Sequence, residues 1–302
     1  DRHIVGIHGF GVHVPGGYVE VDDLADARGW SREKLRDGLG LRRFAVPLLG
    51  EDSVAMAAQA CRRLFDTFGL SADRVGVLVV GTETSVDGSK PIASYLQGIL
   101  GLPDDVMTFD VQHACFGATG ALDYAALWAA QLPSDSQAAS GTPERFALVV
   151  ATDVARYPLG SPAEPTQGAG AVAMAVGPGA GMLRLRLTGA GVASADRDDF
   201  QRVPGEDEAR VDGARSTVYY LEALEQSYGR FVEASGQRQG EAARLIVHAP
   251  YPALALKAHA TLERLDRAAL GRPAPTDEDL RADARERSWP ALRVVEEIGN
   301  AY

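Results

Sequence analysis

The sequence predicts an α/β fold built from two pseudo-duplicated halves, and three observations lead there. Continuous apolar runs at 75–81 and 146–152 have the length and β-branched content of strands buried on both faces. Segments between such runs carry apolar residues at helical spacing, as at 53–67 and 218–234. The strand-helix rhythm of residues 1–189 begins again after a polar, acidic stretch at 190–214, which sets the boundary with a second half, 190–302.

Taken in order, residues 4–10 are a strand candidate running on through 12–14, where Pro15 and Gly16-Gly17 stop it. Short helices are expected at 22–28 and 31–37, the second N-capped by Ser31, and Gly38, Gly40 and Pro47 mark a loop. Asp52-Ser53 caps an amphipathic helix to about residue 67, with Val54, Ala57, Ala60, Cys61 and Leu64 on one face, so Cys61 reads as core. The strand at 75–81 ends in Thr82-Glu83-Thr84-Ser85, and Pro91 opens a helix to Leu100. A buried strand at 106–111 then leads through 112–122 into a small-residue helix. Residues 134–142 read as a surface loop.

The strand at 146–152 ends in Asp153. A small-residue strand at 168–176 is expected to pair with 182–187. No Walker lysine and no GxGxxG accompany Gly168 and Gly170, so close sheet packing explains these glycines better than phosphate binding. In the second half, a strand at 244–247 ends in His248-Ala249-Pro250-Tyr251-Pro252. Helices through Lys257 and at 278–288 follow, and then 294–298. No long apolar strand follows Asn300, so a duplicated sheet is left unfinished. Either the chain is a fragment or another polypeptide supplies the rest.

With 302 residues, 46% of them hydrophobic, the chain can bury a substantial core. A net charge of −11 argues against a nucleic-acid surface, leaving any anionic partner to local cations such as Arg42-Arg43, Lys90 and Lys257, each otherwise a solvated surface charge. Two cysteines make neither a disulfide framework nor a CxxC pair, so no metal site is expected. No run reaches membrane-spanning length, and the expectation is a cytoplasmic protein.

Two residues carry candidate chemistry. Cys115 falls on a strand-to-helix turn, where the helix dipole and backbone N–H groups would favour a thiolate and steady an oxyanion; the alternative is a buried structural cysteine. Glu83 lies just past the carboxyl end of a buried strand, where open α/β sheets place ligand chemistry. Capping a turn or pairing with a lysine is its other reading.

Several stretches together carry a family resemblance: Glu51-Asp52-Ser53-Val54-Ala55-Met56-Ala57, Gly81-Thr82-Glu83-Thr84-Ser85-Val86-Asp87, Ala114-Cys115-Phe116-Gly117-Ala118-Thr119, Thr152-Asp153-Val154-Ala155, Pro165-Thr166-Gln167-Gly168-Ala169-Gly170-Ala171, His248-Ala249-Pro250-Tyr251 and Ile298-Gly299-Asn300-Ala301-Tyr302. In order and spacing the chain resembles the 3-hydroxy-3-methylglutaryl-CoA synthase family of thiolase-like condensing enzymes, including its polyketide β-branching relatives. The resemblance implies a layered αβαβα thiolase fold and a homodimer. It implies that Cys115 accepts an acetyl group from a thioester and that Glu83 removes a proton from the acetyl methyl. His248 would orient a 3-ketoacyl thioester, with Asn300 beside it, and Tyr251, Thr166, Gly168 and Lys257 would contact substrate. No cofactor is implied, only thioesters on coenzyme A or on an acyl carrier protein.

Two departures stand out. The family's lysine after the tyrosine of His-x-Pro-Tyr is Ala253 here, with only the later Lys257 remaining, and Gln201 stands where tryptophan is common. A weakened phosphate site tilts the expectation toward a carrier-protein thioester and β-branching. The mevalonate-type CoA enzyme and a non-catalytic thiolase-like subunit are the alternatives.

Overall fold

The computed structural model describes residues 4–133 and 142–300. The expected loop at 134–142 lies, apart from Thr142, outside the described residues, as do residues 1–3 and the Ala301-Tyr302 end of the last motif. In chain order the elements are β1 (Val5–His13), β2 (Gly17–Glu20), α1 (Val21–Arg28), a π-turn (Lys34–Leu39), β3 (Arg43–Val46), α2 (Ser53–Phe68), β4 (Val75–Gly81), α3 (Ile92–Leu100), β5 (Met107–Val111), α4 (Gly117–Ala129), β6 (Phe146–Ala155), β7 (Gly168–Pro178), β8 (Leu183–Leu185), β9 (Phe200–Gln201), β10 (Arg210–Val211), α5 (Gly213–Ser235), α6 (Pro252–Ala269), α7 (Asp277–Arg287) and α8 (Trp289–Ile298).

The α/β class is as the sequence predicts. One mixed sheet runs β5-β4-β6-β7-β1-β8, with β4 parallel to β5 and β6, and β7 antiparallel to β6 and β1. Helix α2 covers one face, where Met56, Ala57, Ala60, Cys61 and Leu64 meet Leu78, Val80, Leu148 and Val150. Helix α4 covers the other, where Ala121, Ala125 and Ala129 meet Val77, Val79 and Val149. The capping reading for α2 holds: the Asp52 carboxylate accepts the Ala55 N–H at 2.8 Å. Proline cannot cap α3 with a side chain, and Asp110 of β5 does so instead, accepting from Ile92 and Ala93 N–H at 2.6 and 3.0 Å.

Four expectations are corrected. Residues 183–185 pair with β1, not with 168–176, because β7 is already flanked by β6 and β1. The strand at 106–111 is an edge, with Met107 54% exposed, instead of a buried strand. A small β2–β3 sheet, unanticipated, closes the loop around Gly38 and Gly40. Residues 244–247 join no ladder, and Ile246 is 84% exposed: a strand needs a neighbour to take up its N–H and C=O groups, and none lies beside this segment among the described residues. The second half therefore supplies helices without a sheet of its own. No helix among the described residues is long and apolar enough to cross a membrane.

Candidate active site

The site assembles at the carboxyl ends of β5, β4 and β6. Parallel register sets Gly81 beside Val111 on one flank and Ala151 on the other, so whatever follows each strand emerges on the same side. After β4 comes the Thr82-Glu83-Thr84 turn, after β5 the Cys115 turn, and Asp153 stands two residues past Ala151 on β6.

One oxygen of Asp153, Oδ1, accepts from Thr82 Oγ1 and Glu83 N–H at 2.9 Å, from Thr84 N–H at 3.0 Å and from Thr84 Oγ1 at 2.7 Å. This clamp fixes the backbone that carries Glu83, itself buried at 6% exposure. Burial pushes the Asp153 carboxyl up to about 6 despite these donors. The role of Asp153 is visible only once β4 and β6 are known to be neighbours.

Cys115 takes a left-handed backbone, φ 61°, the one non-glycine residue with positive φ among those described. The turn is held against β4 because Gly81 has no Cβ: a methyl there would collide with the backbone of Gly117 and Ala118. Two expectations about this turn fail. The N–H groups of Phe116 and Gly117 donate to the His113 carbonyl, at 3.3 and 2.8 Å, and so are already engaged. The thiol is not lowered by the helix. Cys115 is open to a cavity on one side, but burial on its other sides, with the carboxylates of Glu83, Asp153 and Asp199, pushes it up to about 12. Nearby full charges outweigh the partial charge of a helix end.

The cavity, about 1410 Å³, is bordered by Cys115, His248, Asn300, Thr166 and Tyr251 together, and by Tyr157, Asp199 and Tyr220. Burial lowers His248 to about 4, so its imidazole is neutral near pH 7. The Tyr220 hydroxyl from α5 donates to the His248 backbone carbonyl at 2.8 Å and steadies that otherwise unladdered segment. Asn300 is held by its own backbone: its N–H donates to Gln167 O at 3.3 Å, and Gly168 bridges to Gly299. A Cβ on Gly168 would strike the Asn300 backbone, so this glycine serves strand-to-chain packing and does not border the cavity.

Glu83 is close enough to Cys115 to raise its thiol, although it does not itself border the cavity. Lys257 does not join them. It is exposed on α6 and absent from the cavity wall, which holds Lys34, Trp30 and Ser31 instead. A helical sequence signal placed Lys34 correctly in a first turn, but nothing in the sequence tied that turn to the site. The wall near it is braced by Arg28, whose Nε and Nη2 donate to the two Glu164 oxygens at 2.9 and 2.7 Å, joining the end of α1 to the loop before Thr166.

The match to known proteins is consistent along the chain. Residues 2–181 match the family model described as hydroxymethylglutaryl-coenzyme A synthase N terminal. The hydroxymethylglutaryl-CoA synthase of Enterococcus faecalis is 33% identical over 254 residues, which are 84% of this chain and 63% of that protein. Among solved structures, MvaS in complex with 3-hydroxy-3-methylglutaryl coenzyme A superposes with TM-score 0.88 at 40% identity, covering 100% of this chain and 74% of that one. The curacin pathway HMG synthase in complex with holo donor-ACP gives TM-score 0.88 at 27% identity, covering 99% and 70%. The chain thus spans less than two thirds of the length of the Enterococcus relative, and its fold is that of the thiolase-like HMG synthases. From the N-terminal family match and the superposition alike, the chain belongs to the hydroxymethylglutaryl-CoA synthase family.

Proposed function

We propose that this protein condenses an acetyl thioester with a 3-ketoacyl thioester to give a 3-hydroxy-3-methylglutaryl-type product, with acyl carrier proteins as the carriers in polyketide β-branching. The observation that carries the reading is the shared cavity of Cys115, His248 and Asn300, with Glu83 near enough to shift the thiol. The chemistry follows from the charges. A thiol raised to about 12 is protonated at rest, so attack on the acetyl carbonyl requires its proton to leave in the same step. Glu83 accepts that proton and passes it to the departing carrier thiolate. The Cys115 thioester keeps an acidic methyl, and Glu83, a carboxylate again, removes one of its protons. The resulting enolate attacks the ketone carbon of the second substrate, whose position the neutral His248 and the Asn300 amide fix by hydrogen bonds. The new alkoxide takes the proton back from Glu83, and water cleaves the thioester to free Cys115.

Carrier proteins are supported by Ala253 and by Lys257 standing off the cavity, since both remove cations that coenzyme A phosphates would use. The likeness to MvaS at 40% identity favours a second reading, the CoA-dependent mevalonate-type enzyme. Intact-mass analysis after exposure to acetyl-CoA or to acetyl-carrier protein separates them. We expect one acetyl group on Cys115, gained faster from the carrier; faster labelling by acetyl-CoA selects the second reading, and none from either donor selects a non-catalytic subunit. Glu83→Ala should still acetylate slowly but lose condensation by about 10²-fold or more. Normal condensation by that variant would remove Glu83 as the base. A cytoplasmic homodimer completes the proposal.

A further inference from the structure

Lys34 is the sole Lys or Arg on the wall of the large cavity among the described residues. It opens the π-turn Lys34–Leu39, and Ser31 Oγ accepts its backbone N–H at 3.1 Å, which fixes the turn from which the side chain springs. Trp30 and Ser31 border the cavity beside it, and the side chain enters no ion pair among the described residues. Most other basic groups nearby are committed: Arg28 to Glu164, Arg32 and Arg36 to Asp22, Arg42 to Glu296. An uncommitted ammonium on a cavity wall is a counter-ion site.

The rest of that wall leans the other way. Asp199 and Asp212 border the same space, and His248 is neutral near pH 7. One ammonium against two carboxylates leaves the lining net negative. Coenzyme A brings a diphosphate and a further 3′-phosphate, whereas a phosphopantetheine arm brings one phosphate. A single lysine can pair with one phosphate as a point charge, and several more phosphates would face carboxylates without counter-ions.

We propose that Lys34 is the phosphate-binding residue of this cavity, pairing with the one phosphate of a phosphopantetheine arm, while Asp199 and Asp212 select against coenzyme A. This rests on the thioester reading above and names its donor more narrowly. The test uses S-acetyl-phosphopantetheine, phosphate-free S-acetyl-pantetheine and acetyl-CoA with the full protein, following acetylation of Cys115 by intact mass. The parent should prefer the phosphorylated donor over the phosphate-free one by about tenfold, one charge-assisted contact's worth. Lys34→Ala should bring that ratio to about one, Lys34→Glu below one, and Lys34→Arg should restore most of it.

A purely structural Lys34 would slow both donors alike and leave the ratio intact, which overturns the proposal. Acetyl-CoA outpacing S-acetyl-phosphopantetheine in the parent overturns the selection against coenzyme A. Should no thioester acetylate the parent, the condensation reading fails on its own, and calorimetry with phosphopantetheine then decides the phosphate site. Binding that weakens about tenfold in Lys34→Ala supports it, and equal or absent binding refutes it.

Discussion

Asp153 is held in two conflicting ways, and pH separates them. Four donors converge on one oxygen, which favours the carboxylate, yet burial wins and moves the group up to about 6. An acid whose folded value lies above its unfolded one contributes stability fully below about pH 4 and loses it as pH rises through about 6. Asp153→Asn keeps an acceptor oxygen for the Thr82–Thr84 turn without the charge. It should therefore be more stable than the parent at pH 8, by at most about 3 kcal/mol for a shift of roughly two units, with the gap closing near pH 4. Urea denaturation at both pH values checks this, and a gap of equal size at each would refute the electrostatic account. The same substitution removes one of the charges that raise Cys115, so its alkylation by iodoacetamide at pH 8 should quicken.

Between β4 and α4 the contact is backbone against backbone, and a glycine makes it possible. A Cβ at Gly81 would meet Gly117 and Ala118, neither of which has a side chain that could swing aside. Gly81→Ala should cost about 1–3 kcal/mol and slow acetylation of Cys115 more than tenfold, because the turn that aims the sulfur must shift. Gly98 in α3 is the matched control: a Cβ there meets open space, so Gly98→Ala should stabilise the fold by up to about 1 kcal/mol with acetylation unchanged. Thermal melts with the mass assay on both variants check the pair. Equal losses in the two would show that the Cys115 turn does not depend on this approach.

Across the molecule, the sheet is closed on one side by β8 and left open on the other by β5. That open edge carries Met107, Phe116 and Leu127, each between 47% and 59% exposed, beside the start of α4. An apolar edge strand of this kind is a template for its own copy about a two-fold axis, and the homodimer proposed above would use it. Sedimentation should give a dimer for the parent and a monomer for Met107→Glu. A parent that sediments as a monomer at micromolar concentration would reject this interface.

The sequence by itself determined the strands and helices of the first half, the cap of α2, the core position of Cys61 and the family to which Cys115, Glu83, His248 and Asn300 point. These are local or ordered signals: apolar periodicity, cap chemistry and motifs whose spacing survives without coordinates. Only the tertiary structure decided which strands are neighbours, and with that the pairing of 183–185 to β1, the Asp153 clamp and the left-handed turn at Cys115. It also placed Lys34 on the cavity wall and Lys257 off it, and turned the expected thiolate into a raised thiol. The physical reason is common to all of these. Electrostatic environment and strand order depend on groups far apart in the chain, and a linear pattern records what each residue prefers but not what it will face.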